Sequence, residues 1–181
     1  MRKALYIAAV TVAVAPALLA GQSWRTVTMS HQIEDNSEIR VFVEYGAGHL
    51  KIGAADGDVL YRMNLRYDED IFEPVSDFSG DRLHLGVESI GRGFNIGRNK
   101  QSGELDLEFA RGIPMDMDLE FGAVRADIDF GGLALTDLDL STGASQSTID
   151  ISEPNSVGMS RARFEIGAAE FEARHLGNLN A

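Results

Sequence analysis

Residues 115–151 read MDMDLEFGAVRADIDFGGLALTDLDLSTGASQSTIDI, and this stretch decides the fold class. Met115, Met117, Leu119 and Phe121 fall on one side of an alternation, and Asp116, Asp118 and Glu120 on the other. After Gly122 the alternation restarts with Val124, Ala126, Ile128 and Phe130 against Arg125, Asp127 and Asp129. After Gly131-Gly132 it restarts again with Leu138 and Leu140 against Asp137 and Asp139. Beyond Gly143, Ser147, Ile149 and Ile151 oppose Gln146, Thr148 and Asp150. A period of two marks strands with one buried and one wet face. Glycine at the breaks supplies corners.

Working outward, the same pattern covers most of the chain. Ile39, Val41, Val43 and Tyr45 form a strand that Gly46-Ala47-Gly48 breaks, and Leu50 and Ile52 follow. Val59, Tyr61, Met63 and Leu65 alternate with Leu60, Arg62, Asn64 and Arg66. Residues 68–81 are least regular, with turns expected at Glu73-Pro74 and Ser79-Gly80-Asp81. Leu83, Leu85 and Val87 give a short strand, then 91–100 reads as a glycine-rich, locally basic loop. Leu105, Leu107 and Phe109 lead to Gly112-Ile113-Pro114 and the stretch quoted above. Two more strands follow, on Ala162, Phe164 and Ile166 and on Ala169, Phe171 and Ala173. No amphipathic helix is expected after the leader.

The N-terminus reads as a signal peptide over residues 1–20. Arg2 and Lys3 precede an uncharged run from Ala4 to Ala20, and the small residues around Ala20-Gly21 suit signal peptidase. Residues 21–36 lack a sustained period and read as a tether; 37–181 read as one β-repeat domain ending partway through a repeat. The leader carries two of the 16 Lys+Arg and none of the 28 Asp+Glu, so the formal charge of −12 becomes −14 on its removal. Such a chain is not built to hold nucleic acid or an anionic leaflet. With no cysteine there are no disulfide staples and no lipid-modified cysteine. The expected location is exported: periplasmic, cell-envelope or secreted.

One phrase recurs. Val43-Glu44-Tyr45-Gly46-Ala47, Leu119-Glu120-Phe121-Gly122-Ala123 and Phe164-Glu165-Ile166-Gly167-Ala168 are close copies, and Leu140-Ser141-Thr142-Gly143-Ala144 is a weaker one. The last three glycines lie 21 and 24 residues apart, a spacing that suits a solenoid of stacked coils. Each copy ends a strand on a bulky inward residue and turns on glycine, where a Cβ would clash. Glycine breaks also suit hairpin loops, so the pattern alone leaves an antiparallel β-sandwich open.

VEYGAGHLKIG at 43–53 and GIPMDMDLEFGAVRADIDFGGLALTDLDLSTGASQSTIDIS at 112–152 carry a family resemblance. They resemble the bacterial putative-adhesin and toast-rack repeat domains, which are similar to the extracytoplasmic part of LiaF-like cell-envelope proteins. The resemblance spans 37–181, with 68–103 matching poorly. It implies a single-domain β-solenoid without catalytic residues.

Candidate chemistry is sparse. His31, His49, His84 and His175 lack the spacing of a zinc site, and no nucleophile elbow, P-loop or H-E-x-x-H occurs. Gly91-x-Gly93 precedes no helix, which excludes a dinucleotide fingerprint. Coils stacked in register would bring carboxylates to about 5 Å, so Asp116, Asp118, Asp127, Asp129, Asp137 and Asp139 are the candidate Ca²⁺ ligands. A solvated outer face, partly neutralised by Arg125, Arg161 and Arg163, is the preferred reading. No cofactor and no small-molecule substrate are expected. The expectation is a non-enzymatic binding or structural module of the envelope, or alternatively a stress sensor acting through a membrane partner. Self-association through an open solenoid end is a further possible partnership.

Overall fold

The computed structural model describes residues 23–90 and 103–181; the leader and the basic loop at 91–100 lie outside them. The described chain is all-β. Its strands are β1 (Trp24–Gln32), β2 (Ile39–Ala54), β3 (Val59–Asp68), β4 (Phe72–Ser79), β5 (Arg82–Ser89), β6 (Gly103–Phe109), β7 (Pro114–Asp129), β8 (Ala134–Thr142), β9 (Gln146–Asp150), β10 (Arg161–Ile166) and β11 (Glu170–Arg174). A single 3-10 turn, Leu176–Leu179, follows.

The strands stack as coils of a β-solenoid. β2 and β7 pair in parallel from Ile39↔Met115 to Ile52↔Ile128, on both sides of Gly46 and Gly122. The first half of β7 carries β8, and its second half carries β9. β10 then stacks on β8, and β11 on β9, all in parallel. On the other side of β2, β5 pairs with its first half and β6 with its second. The spatial order of coils is therefore β5/β6, β2, β7, β8/β9, β10/β11. After β1, the chain enters the second coil with β2, builds the first, and then crosses to the third. Antiparallel strands close the first end: β4 on β5, β3 on β6, and β1 on β3. Antiparallel pairing, expected only of the rival sandwich, is confined to that end.

Each corner works by a slip of one residue in the buried phase. In β2, odd positions point inward up to Tyr45, and even positions from Gly48 onward. In β7 the switch falls between Phe121 and Val124. One straight strand cannot bury both phases on one face. The slip swings the second half onto another side of the coil, where its apolar residues meet the same interior. That interior runs the length of the stack, from Leu65, Leu105 and Leu50 to Leu119, Leu140 and Ile149. Each such side chain contributes about 1.5–3 kcal/mol by leaving water.

The copies of the recurring phrase are superposed as the repeat requires. Tyr45 faces Phe121, Phe121 faces Thr142, and Thr142 faces Ile166. Gly143 N–H donates to the Phe121 carbonyl at 3.1 Å, and Gly167 N–H donates to the Thr142 carbonyl at 2.8 Å. A Cβ on Gly122 would stand 2.5 Å from the Gly46 carbonyl oxygen, and one on Gly167 would stand 2.9 Å from that of Gly143. Gly143 is looser, its nearest neighbour being 3.7 Å away.

The third side of the coil is held by asparagine. Asn155 is buried; its Oδ1 accepts from Leu135 N–H at 3.0 Å, and its Nδ2 donates to the carbonyls of Leu135 and Leu179. Asn178 Nδ2 donates to the Ile151 carbonyl at 2.8 Å. These amides satisfy backbone groups that have no strand ladder to join.

Two expectations are corrected. The segment 21–36 contains β1, whose Val27 and Met29 pack half-buried over β3 while most other positions are polar. Its period was weak because an edge strand has little to bury. Glu73-Pro74 is not a turn but lies within β4, with Pro74 opposite Val87. An edge strand tolerates proline because the missing N–H need not reach a neighbour. The turn at Ser79-Gly80-Asp81 is where it was expected, with Gly80 at φ 63°.

Gly122→Ala is expected to lower stability by about 1–3 kcal/mol through backbone collision, whereas Gly143→Ala stays within about 0.5 kcal/mol. Chemical denaturation of the two variants checks the difference. Asn155→Ala, which orphans three buried backbone partners, is expected to cost about 2–3 kcal/mol or more in the same assay.

Candidate functional site

The parallel register sorts the candidate carboxylates into separate groups. On the face formed by the first halves of the coils, Asp116 lies opposite Asp137 and Asp118 opposite Asp139. The column continues to Arg40 on one side of Asp116 and to Arg161 beyond Asp137. Arg161 approaches Asp137 at 3.7 Å and Asp139 at 3.8 Å, and Arg163 approaches Asp139 at 3.7 Å. These four aspartates therefore form an outward ladder closed by arginine at its lower end. Partial burial, and then the facing carboxylate of Asp137, raise the pKa of Asp116 above its ordinary value. Burial followed by the Asp139 charge does the same for Asp118.

Asp127 and Asp129 are elsewhere, on the face formed by the second halves. Asp127 lies between Lys51 and Thr148. Asp129 has its oxygens engaged: Oδ1 accepts from Gly131 N–H at 2.8 Å and Ser152 N–H at 3.1 Å, and Oδ2 accepts from Ser152 Oγ at 2.7 Å. Burial would raise its pKa, but the Ser152 and Gly131 hydrogen bonds outweigh that and hold it below the ordinary range. Asp150, directly beneath it, meets His175 Nδ1 at 2.6 Å. These two acids clasp one coil to the next. Among the described residues no group of three or more His, Asp or Glu is placed to hold a metal ion. The histidines are dispersed: His31 stacks near Tyr61, His84 lies against Phe42, and His49 is exposed.

A shallow acidic cleft of about 270 Å³ opens beside the closed end, lined by His31, Glu34, Asp35, Glu38 and Asp81. His31 Nε2 lies 3.3 Å from Glu34 Oε1, and Asp81 is engaged by Arg40.

The opposite end of the stack has a different character. β10 pairs only with β8 and β11 only with β9 among the described residues, so each presents a free edge. The inward residues of this last coil, Ala162, Phe164 and Phe171, are only half-covered. Phe164 and Phe171 meet edge to face at 5.9 Å. Exposed large apolar side chains among the described residues are Ile90, Ile166 and Leu176, and the last two belong to this end. Sequence reasoning noted the unfinished repeat, but not that both sheets stop together or that the exposed apolar residues gather there.

The two pKa directions have opposite consequences. The raised value of Asp116 means that its charge costs stability as pH rises from the unfolded toward the folded pKa. The lowered value of Asp129 means that its stabilisation is present above the unfolded pKa and is lost as pH falls through the folded one. Asp116→Asn is therefore expected to stabilise at pH 7 by about 0.2–1 kcal/mol, and the gain vanishes near about pH 3. Asp129→Asn destabilises at pH 7, and its penalty shrinks on acidification. Denaturant titrations at both pH values measure each change.

The family model for the N-terminal domain of toast_rack, DUF2154, matches residues 20–173. No curated protein matches the chain. Among solved structures, a putative cell adhesion protein from Clostridium sporogenes aligns with a TM-score of 0.63 at 13% identity, covering 82% of this chain and 99% of that chain. A putative adhesin from Bacteroides fragilis aligns at 8% identity with a TM-score of 0.29, covering 82% of this chain and 95% of the other. A putative lipid binding protein from Parabacteroides distasonis aligns at 13% identity with a TM-score of 0.28, over 83% and 76% of the two chains. The first of these shares the fold. The recurring glycine phrase, the stacked coils and the match over 20–173 lead to one assignment: this chain belongs to the toast_rack N-terminal domain family.

Proposed function

We propose that the mature chain is an exported, non-enzymatic module of the bacterial cell envelope that works by protein contact through the open end of its solenoid. The observation that carries this reading is the last coil, where two strand edges and a half-covered apolar floor lie side by side. The two ends of the stack are treated differently. At the first end, Pro74 in β4 removes a donor from the outer edge, a device that discourages further pairing. β10 and β11 contain no proline, nor does β1, the other outer strand of the first end, so the contrast lies with β4. Free edges and exposed apolar side chains together are features of a docking surface. The basic, apolar leader supports export, and the acid surface speaks against nucleic acid or an anionic membrane as the partner. The Clostridium sporogenes neighbour, described as a putative cell adhesion protein, is in keeping with a contact role.

A photo-crosslinking residue placed at Ile166, at Leu176 or, as a control, at Asp116 tests this in cells producing the full chain. Discrete protein adducts from positions 166 and 176 in the envelope fraction, and none from 116, are the expected result. Retention of the uncleaved chain in the cytoplasm, or adducts equally distributed over all three positions, would overturn it.

A further inference from the structure

We infer that the open end is closed by a second copy of the same chain, docked end to end about a two-fold axis through the Gly167 corner. The inference rests on the reading of this end as a docking surface and names its occupant. β10 runs toward the corner and β11 runs away from it. A two-fold axis along the bisector of that corner lays β10 of one copy on β11 of the other, and the strands are then antiparallel. Residues equidistant from the axis become partners, and the axis falls half a residue to one side of Gly167 or the other.

The phase slip at the corner narrows the register. Arg161, Arg163 and Glu165 point outward from β10, as do Glu170, Glu172 and Arg174 from β11. Outward residues must face outward ones, so only two registers place the corners together. In one, Arg161 faces Glu172 and Arg163 faces Glu170. On the inner side Ala162 then faces Phe171, and Phe164 faces Ala169, a large residue against a small one each time. In the other, Arg163 meets Glu172, but Arg161 faces Arg174 and Glu165 faces Glu170, so two like-charge pairs stand against one unlike pair. Pairing β10 with its own copy about Arg163 sets that residue against itself, and pairing β11 with its own copy about Glu172 does the same there.

Charge favours a like partner for a further reason. The chain carries −12 overall, yet the outward residues of the last coil are three arginines and three glutamates. This is a place where two copies of an acidic chain can approach without adding net charge to the contact. Each copy would bring Phe164 and Phe171, so that four aromatic rings meet around the axis, and the contact is isologous, which closes the assembly at two copies.

The absence of cysteine makes the register directly testable. In the full chain recovered from expressing cells, the double variant Arg163→Cys and Glu170→Cys is expected to give a covalent dimer on mild oxidation. Arg161→Cys with Arg174→Cys belongs to the rejected register and should give none. Sedimentation supplies the second measurement. Arg163→Glu appears twice in the symmetric contact and is expected to weaken dimerisation about tenfold, and adding Glu170→Arg restores it. These four side chains are solvent-facing, and a thermal melt shows whether each variant keeps its fold. A monomer at every accessible concentration, or a double charge reversal that fails to restore association, overturns the second copy as occupant. If adducts at 166 and 176 then contain a different envelope protein, the docking surface stands and only its occupant changes. Adducts of twice the chain's mass support the dimer.

Discussion

The approach of one coil's backbone to the next at the glycine corner governs this fold. The Gly46 carbonyl occupies the space that a side chain at 122 would need, and the Gly143 carbonyl crowds the same place at 167. With the corners stacked that closely, the strands on either side cannot slide relative to one another. Val43, Leu119, Leu140 and Phe164 are held in one column, and Tyr45, Phe121, Thr142 and Ile166 in the next. Register is normally specified by side-chain pattern and turn geometry. Here the turn is shared by successive coils, so that one constraint aligns two sheets.

The same register creates the electrostatic problem of the outer surface. Parallel stacking puts equivalent residues opposite each other, and a repeat that places Asp at one outward position places another directly below it. Asp116 over Asp137 and Asp118 over Asp139 are the result, and partial burial together with the facing charge makes Asp116 and Asp118 hold their protons more tightly. The chain relieves the strain by changing residue type at the ends of the columns, with Arg40 above and Arg161 and Arg163 below. Asp129 shows the other solution. Its carboxylate reaches down to Ser152 in the following coil, and the hydrogen bonds it accepts there make its charge a gain rather than a cost.

Much of this was legible from residue order. The inward set of β7, β8 and β9, the corners at Gly122 and Gly143, and the copies that stack upon one another all follow from alternation and a repeated phrase. What escaped did so for physical reasons. β1 offers only Val27 and Met29 to the interior, too few for a period to show. Pro74 reads as a turn unless its strand is known to lie at an edge. The amides of Asn155 and Asn178 serve irregular backbone, for which no periodicity exists. The carboxylates were visible as a set, but their division between two faces depends on the phase slip, and only the pairing shows which neighbour each one meets. The crossing of the chain from the first coil to the third left no local mark at all.

The direction of the stack has a mechanical consequence. In one sheet the strands run β1, β3, β6, β2, β7, β9, β11, so the strand nearest the N-terminus and the open edge lie six steps apart. At about 4.8 Å per step that is roughly 29 Å. Whatever holds Ser23 therefore holds one end of a stiff spacer, and the unguarded edge is carried to the far end. The described residues form a short stack with polarity, and the number of coils in it sets the distance between these two strands.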